Sequence, residues 1–502
     1  MNSIRISVCY TVLAMLFVLL LINTVYAENS TPQYHWFASI NVGSTYYQMS
    51  AEDAVSDGQG FLYVVGGTRP HGGTYDVFVA KINLSNGSIA WVKSIGGGND
   101  DYGEDIVLYG GSFLYITGYT SSYGAGDFDI FLAKLNTDDG SLEWLLTIGT
   151  SNREKAYALT LGDNGSIYIT GACEGYDTTL CVIKINPESK SVEWFRLYGG
   201  SNYDTGYDIA YSNGVVYVAG TTIATEYKKY YDVYVLAINS SNGELLWSMA
   251  FGTPGTGDTP DDGQAIKVVN NSLYVAGMYG GGKFFLAEIN RSSQEFIWAR
   301  TYGMDTYGGE MDLEYIEGGG LVLGGSTASF GAGSADMVVA NLYSEDGSIK
   351  WVRTLGGSKI DRCNGLTVSP KGYIYVVGQT FSFTEIEYGS NIVASLVSET
   401  IEDTLTWLNS TEWSQVQITA PTITVTSIVP ETHEHHNNVN TVDPTVSEQT
   451  ISANTISRNF YIATDNNPPT PIPEPWIIAL VVTLSIVLLT NYGKLRETKK
   501  LS

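Results

Sequence analysis

Four aspartates return at one phase of the chain: Asp53, Asp105, Asp208 and Asp312. Each opens a short apolar run, as in DIVLY from Asp105 and DIAY from Asp208. Four carboxylates gathered at one mouth would suit a hard cation such as Ca2+, which takes oxygen ligands. The competing reading is turn capping, where an Asp side chain accepts hydrogen bonds from nearby backbone N–H groups. The matching positions elsewhere, Tyr157, Gln264 and Asn364, carry no carboxylate. A second series, Asp76, Asp129, Asp232 and Asp336, opens a later strand, and capping is the simpler reading there. No catalytic residue and no protein-built metal centre is assigned. The chain has no nucleophile elbow, Walker loop, HExxH or CxxC. His433, Glu434, His435 and His436 lie close together, but in a segment that reads as a solvated linker.

Two further residue types carry covalent possibilities. Cys173 and Cys181 fall on what read as neighbouring strands of one hairpin, within reach of a disulfide if the chain is exported. Cys363 has no obvious partner. N-x-S/T sequons begin at Asn29, Asn83, Asn86, Asn164, Asn239, Asn270, Asn290 and Asn409. They are candidate N-glycosylation sites, although Asn, Gly and Ser are also what turns use.

The elements that position these residues repeat. Trp recurs at Trp36, Trp91, Trp144, Trp194, Trp247, Trp298 and Trp351, at intervals of 50 to 55 residues. A glycine keeps the same beat at the end of an apolar run: Gly66, Gly118, Gly171, Gly220, Gly277, Gly325 and Gly378. Each copy holds four strand-sized pieces separated by Gly, Asn and Asp turns, the pattern of an antiparallel meander. One meander leaves a face unburied, and radial stacking of several covers it. The expectation is an all-β fold, a seven-bladed β-propeller of four-stranded antiparallel blades. Seven equivalent Trp positions read as structural packing between blades. The segment around Trp36 is a fourth strand without its first three, and the last copy has only three. The N-terminal strand is therefore expected to close the ring, with the segment around Trp407 as the alternative.

Segments such as GGSNYDTGYDIAYSNGVVYVAGTT and YDVYVLAINSSNGELLW resemble the SBBP-type β-propeller repeat over roughly residues 34–408. The resemblance implies a propeller fold and little about activity.

The ends give the expected destination. Arg5, the apolar run Val12 to Ile22 and the small residues before Ala27 read as a signal peptide over 1–27. The propeller is expected over 28–408. Residues 409–475, rich in Thr, Ser, Asn and Pro, read as a stalk. Residues 476–492 are uncharged and apolar, the low edge of a membrane-spanning length, and the tail 493–502 is basic. Pro473, Glu474 and Pro475 before that helix resemble the PEP-CTERM type of sorting signal. The expected location is the outer face of a cell membrane, with the tail cytoplasmic. A net charge of −26 argues against nucleic acid as a partner. The leading expectation is a surface binding or adhesion module for an extracellular protein, polysaccharide or envelope component. The alternatives are a glycan-active enzyme using the channel acids Asp105 and Asp208, and a purely structural envelope component.

Overall fold

The computed structural model describes residues 48–382 apart from short loops at 70–72, 86, 174–178, 200–202, 224–230, 254–259, 309, 319, 330 and 332–333, with the backbone of strands at 37–41, 391–397 and between 418 and 456. These residues belong to one compact unit, Met1–Thr400 with Trp407–Asn459; a second, Ile401–Thr406 with Phe460–Ser502, lies outside the described residues.

Six blades are each built from four consecutive antiparallel strands, at 48–95, 101–148, 155–199, 204–252, 262–305 and 312–355. The remaining sheet is composite. It takes Asp361–Val368, Ile374–Thr380 and Asn391–Val397 from one part of the chain and Phe37–Asn41 from another, with Ala38 opposite Ala394. The inner strands contact one another around a closed circuit, Asp361–Val368 returning against Gln48–Ser56. Asn364 fastens that return, its amide nitrogen reaching Ser50 Oγ at 3.0 Å, Ala51 O at 3.0 Å and Glu52 Oε2 at 2.8 Å.

The expected count of seven four-stranded blades is therefore corrected to six continuous ones, while the expected closing strand is present as Phe37–Asn41 paired with Asn391–Val397. Only six blades are continuous repeats; the last sheet is assembled from two distant segments because the strand pattern is out of phase with the sequence repeat. Five of the sheets gain a fifth, outer strand from residues between 418 and 456, inside the stretch read as a stalk. Among the described residues no helix is long and apolar enough to cross a membrane, and residues 476–492 lie outside them.

Local chemistry explains the blades. Asn83, Asn136, Asn186, Asn239 and Asn290 end the third strands, and each side-chain oxygen accepts a backbone N–H two residues on, as Asn239 does from Ser241 at 2.9 Å. This Asx geometry turns the chain into the fourth strand. The core lies between blades rather than within one. Val65, Val77 and Val79 of the first blade pack with Ile106, Leu114, Ile116 and Phe131 of the second. Each such buried side chain contributes on the order of 1.5–3 kcal/mol. Trp91, Trp194 and Trp298 donate Nε1–H across the seam to the carbonyls of Thr137, Ser240 and Ser344, each at 3.2 Å. Trp36 lies outside the described residues.

The glycine beat has its own cause. A Cβ at Gly66, Gly118, Gly171, Gly220, Gly277 or Gly378 would fall inside van der Waals contact of a first-strand carbonyl oxygen. The first strand comes this close because it carries a β-bulge, an extra residue between Ala51 and Asp53 and at the same place in five other sheets.

Candidate functional site

The bulge decides which side chains line the centre of the ring. The residues it leaves unpaired are Glu52, Glu104, Tyr157, Tyr207, Gln264 and Asn364. Glu310 lies two residues before the inner strand of the sixth blade, which begins at Asp312. Asp53, Asp105, Asp208 and Asp312 sit next to this tier. Their register partners in the remaining sheets are Ala158, Ala265 and Gly365, so Tyr157, Gln264 and Asn364 belong with the glutamates instead.

The four aspartates stitch blades together. Asp105 accepts from Ile106 N at 2.6 Å and from Leu159 N of the next blade at 2.6 Å. Asp208 accepts from Ile209 N at 2.7 Å and Ile266 N at 2.6 Å. Asp312 accepts from Leu313 N at 2.6 Å and Leu366 N at 2.8 Å. Asp53 reaches Ile106 N at 3.3 Å. Both oxygens of three of these carboxylates thus face amide protons, which does not fit a Ca2+ shell built from all four. Among the described residues no group of three or more His, Cys, Asp or Glu is arranged to hold a metal ion.

The tier is electrostatically strained. Burial, then the Asp105 charge, holds Asp53 well above the usual carboxylate range, and burial raises Asp105 as well. Burial pushes Asp208 up to about 7 against the pull of the Ile266 amide. Burial and the Glu314 charge push Asp312 up to about 7. Desolvation within the ring, then Glu52, Asp312 and Asp105, push Glu310 up to about 8, although its side chain stays open to solvent. Glu104 is raised by burial and by Glu310 and Glu52. Lys267 answers these acids from the channel wall. Burial opposes its charge, yet Glu314 at 2.8 Å holds its pKa above the ordinary lysine value.

Aromatic rings gather at the same end. The start of the first strand, the end of the second and the start of the third coincide there, as Gln48 opposite Arg69 and Thr68 opposite Asp76 show. Tyr75, Tyr102 and Tyr119 form a run with 4.9 Å between successive centroids, and Phe128 meets Tyr119 edge-on at 5.2 Å. Lys155 Nζ lies 4.1 Å over the Tyr119 ring, and Tyr119 opposes the rise of the Glu104 carboxyl. Tyr157 and Tyr207 stand 5.6 Å apart across the next seam. The resulting mouth is acidic and aromatic, half-buried, and built on rigid strands.

The second aspartate series lies at this end too, away from the centre. Asp129 caps its loop, accepting from Ala125 N at 3.1 Å and Gly126 N at 3.0 Å. Asp76 faces Asp101 across Gly96, and burial followed by the Asp101 charge pushes it up to about 6. Asp101 and Asp361 are equivalent inner-strand acids absent from the sequence reading; each accepts from a Thr and a Ser hydroxyl of its own blade. Cys173 and Cys181 form a disulfide with Cα atoms 5.8 Å apart. They are diagonal rather than opposite, since Cys181 faces Gly171 and Cys173 faces Thr179. Cys363 is a buried free thiol. Of the sequons, Asn83, Asn239 and Asn290 use their side-chain oxygens in turns, Asn164 and Asn270 adopt φ of 62° and 53°, and Asn29, Asn86 and Asn409 lie outside the described residues.

The functional tier that sequence reasoning missed, Glu52, Glu104, Glu310 and the tyrosines, had a weak signal. An acid or Tyr immediately precedes Asp53, Asp105 and Asp208. Only the bulge turns that residue into the channel.

Comparison with known proteins bears on the fold alone. No curated protein matches the chain. Among solved structures, the WD40 domain of Neurospora crassa Pan2 is 8% identical with a TM-score of 0.42, covering 69% of this chain and 88% of that one. Quinohemoprotein alcohol dehydrogenase from Comamonas testosteroni is 10% identical with a TM-score of 0.41, covering 72% and 78%. Neither likeness is close enough to carry an argument. Residues 350–382 match the SBBP β-propeller repeat family. The match runs from the last strand of the sixth blade through the first two strands of the composite sheet, taking in Trp351, Asp361 and Gly378. The chain is thus a β-propeller whose residues 350–382 are an SBBP-type repeat.

Proposed function

We propose that this propeller is an exported binding module that presents the mouth of its channel to a hydroxyl-rich partner, a polysaccharide. The observation that carries the reading is the convergence of Glu52, Glu104 and Glu310 with Tyr119, Tyr157 and Tyr207 at one end of the ring. Carboxyl groups raised toward neutral pH both donate and accept hydrogen bonds, and tyrosine faces cover the apolar faces of sugar rings. A few fixed polar groups among aromatics is the usual make-up of a small-molecule recognition surface. The enzyme alternative is weakened at Asp105 and Asp208, whose oxygens are engaged by backbone amides.

The signal-like 1–27, the apolar 476–492 and the Pro473–Glu474–Pro475 motif support display outside the cell on a C-terminal anchor. A glycan array with the intact chain tests the reading. Saturable binding that falls at least tenfold in Tyr157→Ala, with unchanged thermal stability, is the expected result. Absence of any saturable glycan, or binding indifferent to Tyr157 and Glu104, sinks it and leaves the structural role.

A further inference from the structure

The short strands between 418 and 456 follow a rule. Ile418 pairs with Tyr302, Val425 with Phe251, Thr432 with Tyr198 and Val439 with Ile148. These residues lie seven apart in the chain, and they visit the fifth, fourth, third and second blades in reverse order. The partner on each blade is the residue four after its Trp: Trp298, Trp247, Trp194 and Trp144. Thr455 then pairs with Ile40, four after Trp36, on the strand that completes the composite sheet. All five contacts therefore lie at one level of the ring, the half of the outer strand nearest the acidic and aromatic mouth.

We infer that residues 418–456 are a strap, stepped by seven residues from Ile418 to Val439, that runs round the outside of the propeller and holds its edge strands closed. The physical need is plain. An outer strand with unpaired N–H and C=O groups is a template for pairing with another chain. A radial fold has one such edge per blade. Seven residues span at most about 25 Å when extended, enough for a short pairing at each edge and a link to the next. Proline falls in the links at Pro421 and Pro430, outside the paired residues, where its missing N–H costs no ladder bond. Pairing at Ile40 places the strap's far end on the sheet whose blade strands come from both ends of the ring. The strap thus also braces the seam at which the ring would open.

Hydrogen exchange on the full chain tests this, comparing the native sequence with Val425→Pro and with one alanine inserted between Ser427 and Ile428. Val425→Pro removes a strap donor; the insertion breaks the step without adding a proline. Near-UV circular dichroism of the tryptophans reports whether the ring stays folded. The expected result is an intact ring in which amides around Phe251 and Tyr198 exchange about tenfold faster in both variants, while Val425→Ile behaves as the native chain. Unchanged exchange around Phe251 and Tyr198 in both variants overturns the strap. So does a gain in exchange spread evenly over the buried second and third strands.

Discussion

At Asp208 a single carboxylate serves two blades, accepting from Ile209 N of its own strand and from Ile266 N of the next. Removing it leaves two amide protons without acceptors in a half-buried seam. Each loss of that kind costs about 1–3 kcal/mol. Asp208→Ala is therefore expected to lower unfolding stability by about 2–4 kcal/mol in urea titration. Asp208→Asn, which keeps one accepting oxygen, should lose about half as much. Added Ca2+ should leave the native midpoint where it is; a rise with Ca2+ that Asp208→Asn abolishes would restore the cation reading. The aspartates were legible in the sequence as a series, and their neighbours were not. Glu52, Glu104 and Tyr207 are placed by a bulge, and the one-residue slip it makes in the pairing shows only when the partner strand is known.

At the scale of the element, the fourth strand carries the inter-blade fastening. Trp194 is buried, packs beside Tyr168 at 6.0 Å and donates to Ser240 of the next blade. Gly243, at a φ of 74°, leaves the space its indole fills. Trp194→Phe should cost about 1 kcal/mol for the lost hydrogen bond, and Trp194→Ala about 3–5 kcal/mol for the cavity, both read from denaturant midpoints at constant slope. Equal losses in the two variants would mean that the hydrogen bond, rather than packing, dominates. The Trp beat was readable at once, because burying a large ring at each repeat is a local demand. Its partner tyrosines at Tyr63, Tyr115, Tyr168, Tyr217 and Tyr274 were hidden inside ordinary strand patterns.

For the whole molecule the ring of acids sets the response to pH. Asp208 and Asp312 are pushed up to about 7 and Glu310 to about 8, above the values they would have in the unfolded chain. Between about pH 4 and pH 8 the folded state therefore binds more protons than the unfolded one. Stability from this source is full near pH 4, falls as pH rises through that window, and is gone above about pH 8. Thermal unfolding from pH 5 to pH 8.5 should show a falling midpoint, with proton uptake on folding measurable by calorimetry in two buffers. Asp312→Asn should flatten the slope. A midpoint that rises over the same window would show these acids ionised in the native ring.

The sequence by itself determined the repeat, the strands, the turns and the glycine that each blade requires. Those follow from backbone propensity and from apolar periodicity, which are readable along one chain. Tertiary structure decided the rest. It left six continuous blades where seven were expected, and it set the register in which Phe37–Asn41 completes the last sheet. It turned the four aspartates toward backbone amides of the neighbouring blade, and it brought residues read as a stalk against the outer edges of five sheets. Each of these depends on where one blade's backbone meets the next, and a contact between distant segments leaves little trace in the local pattern of either.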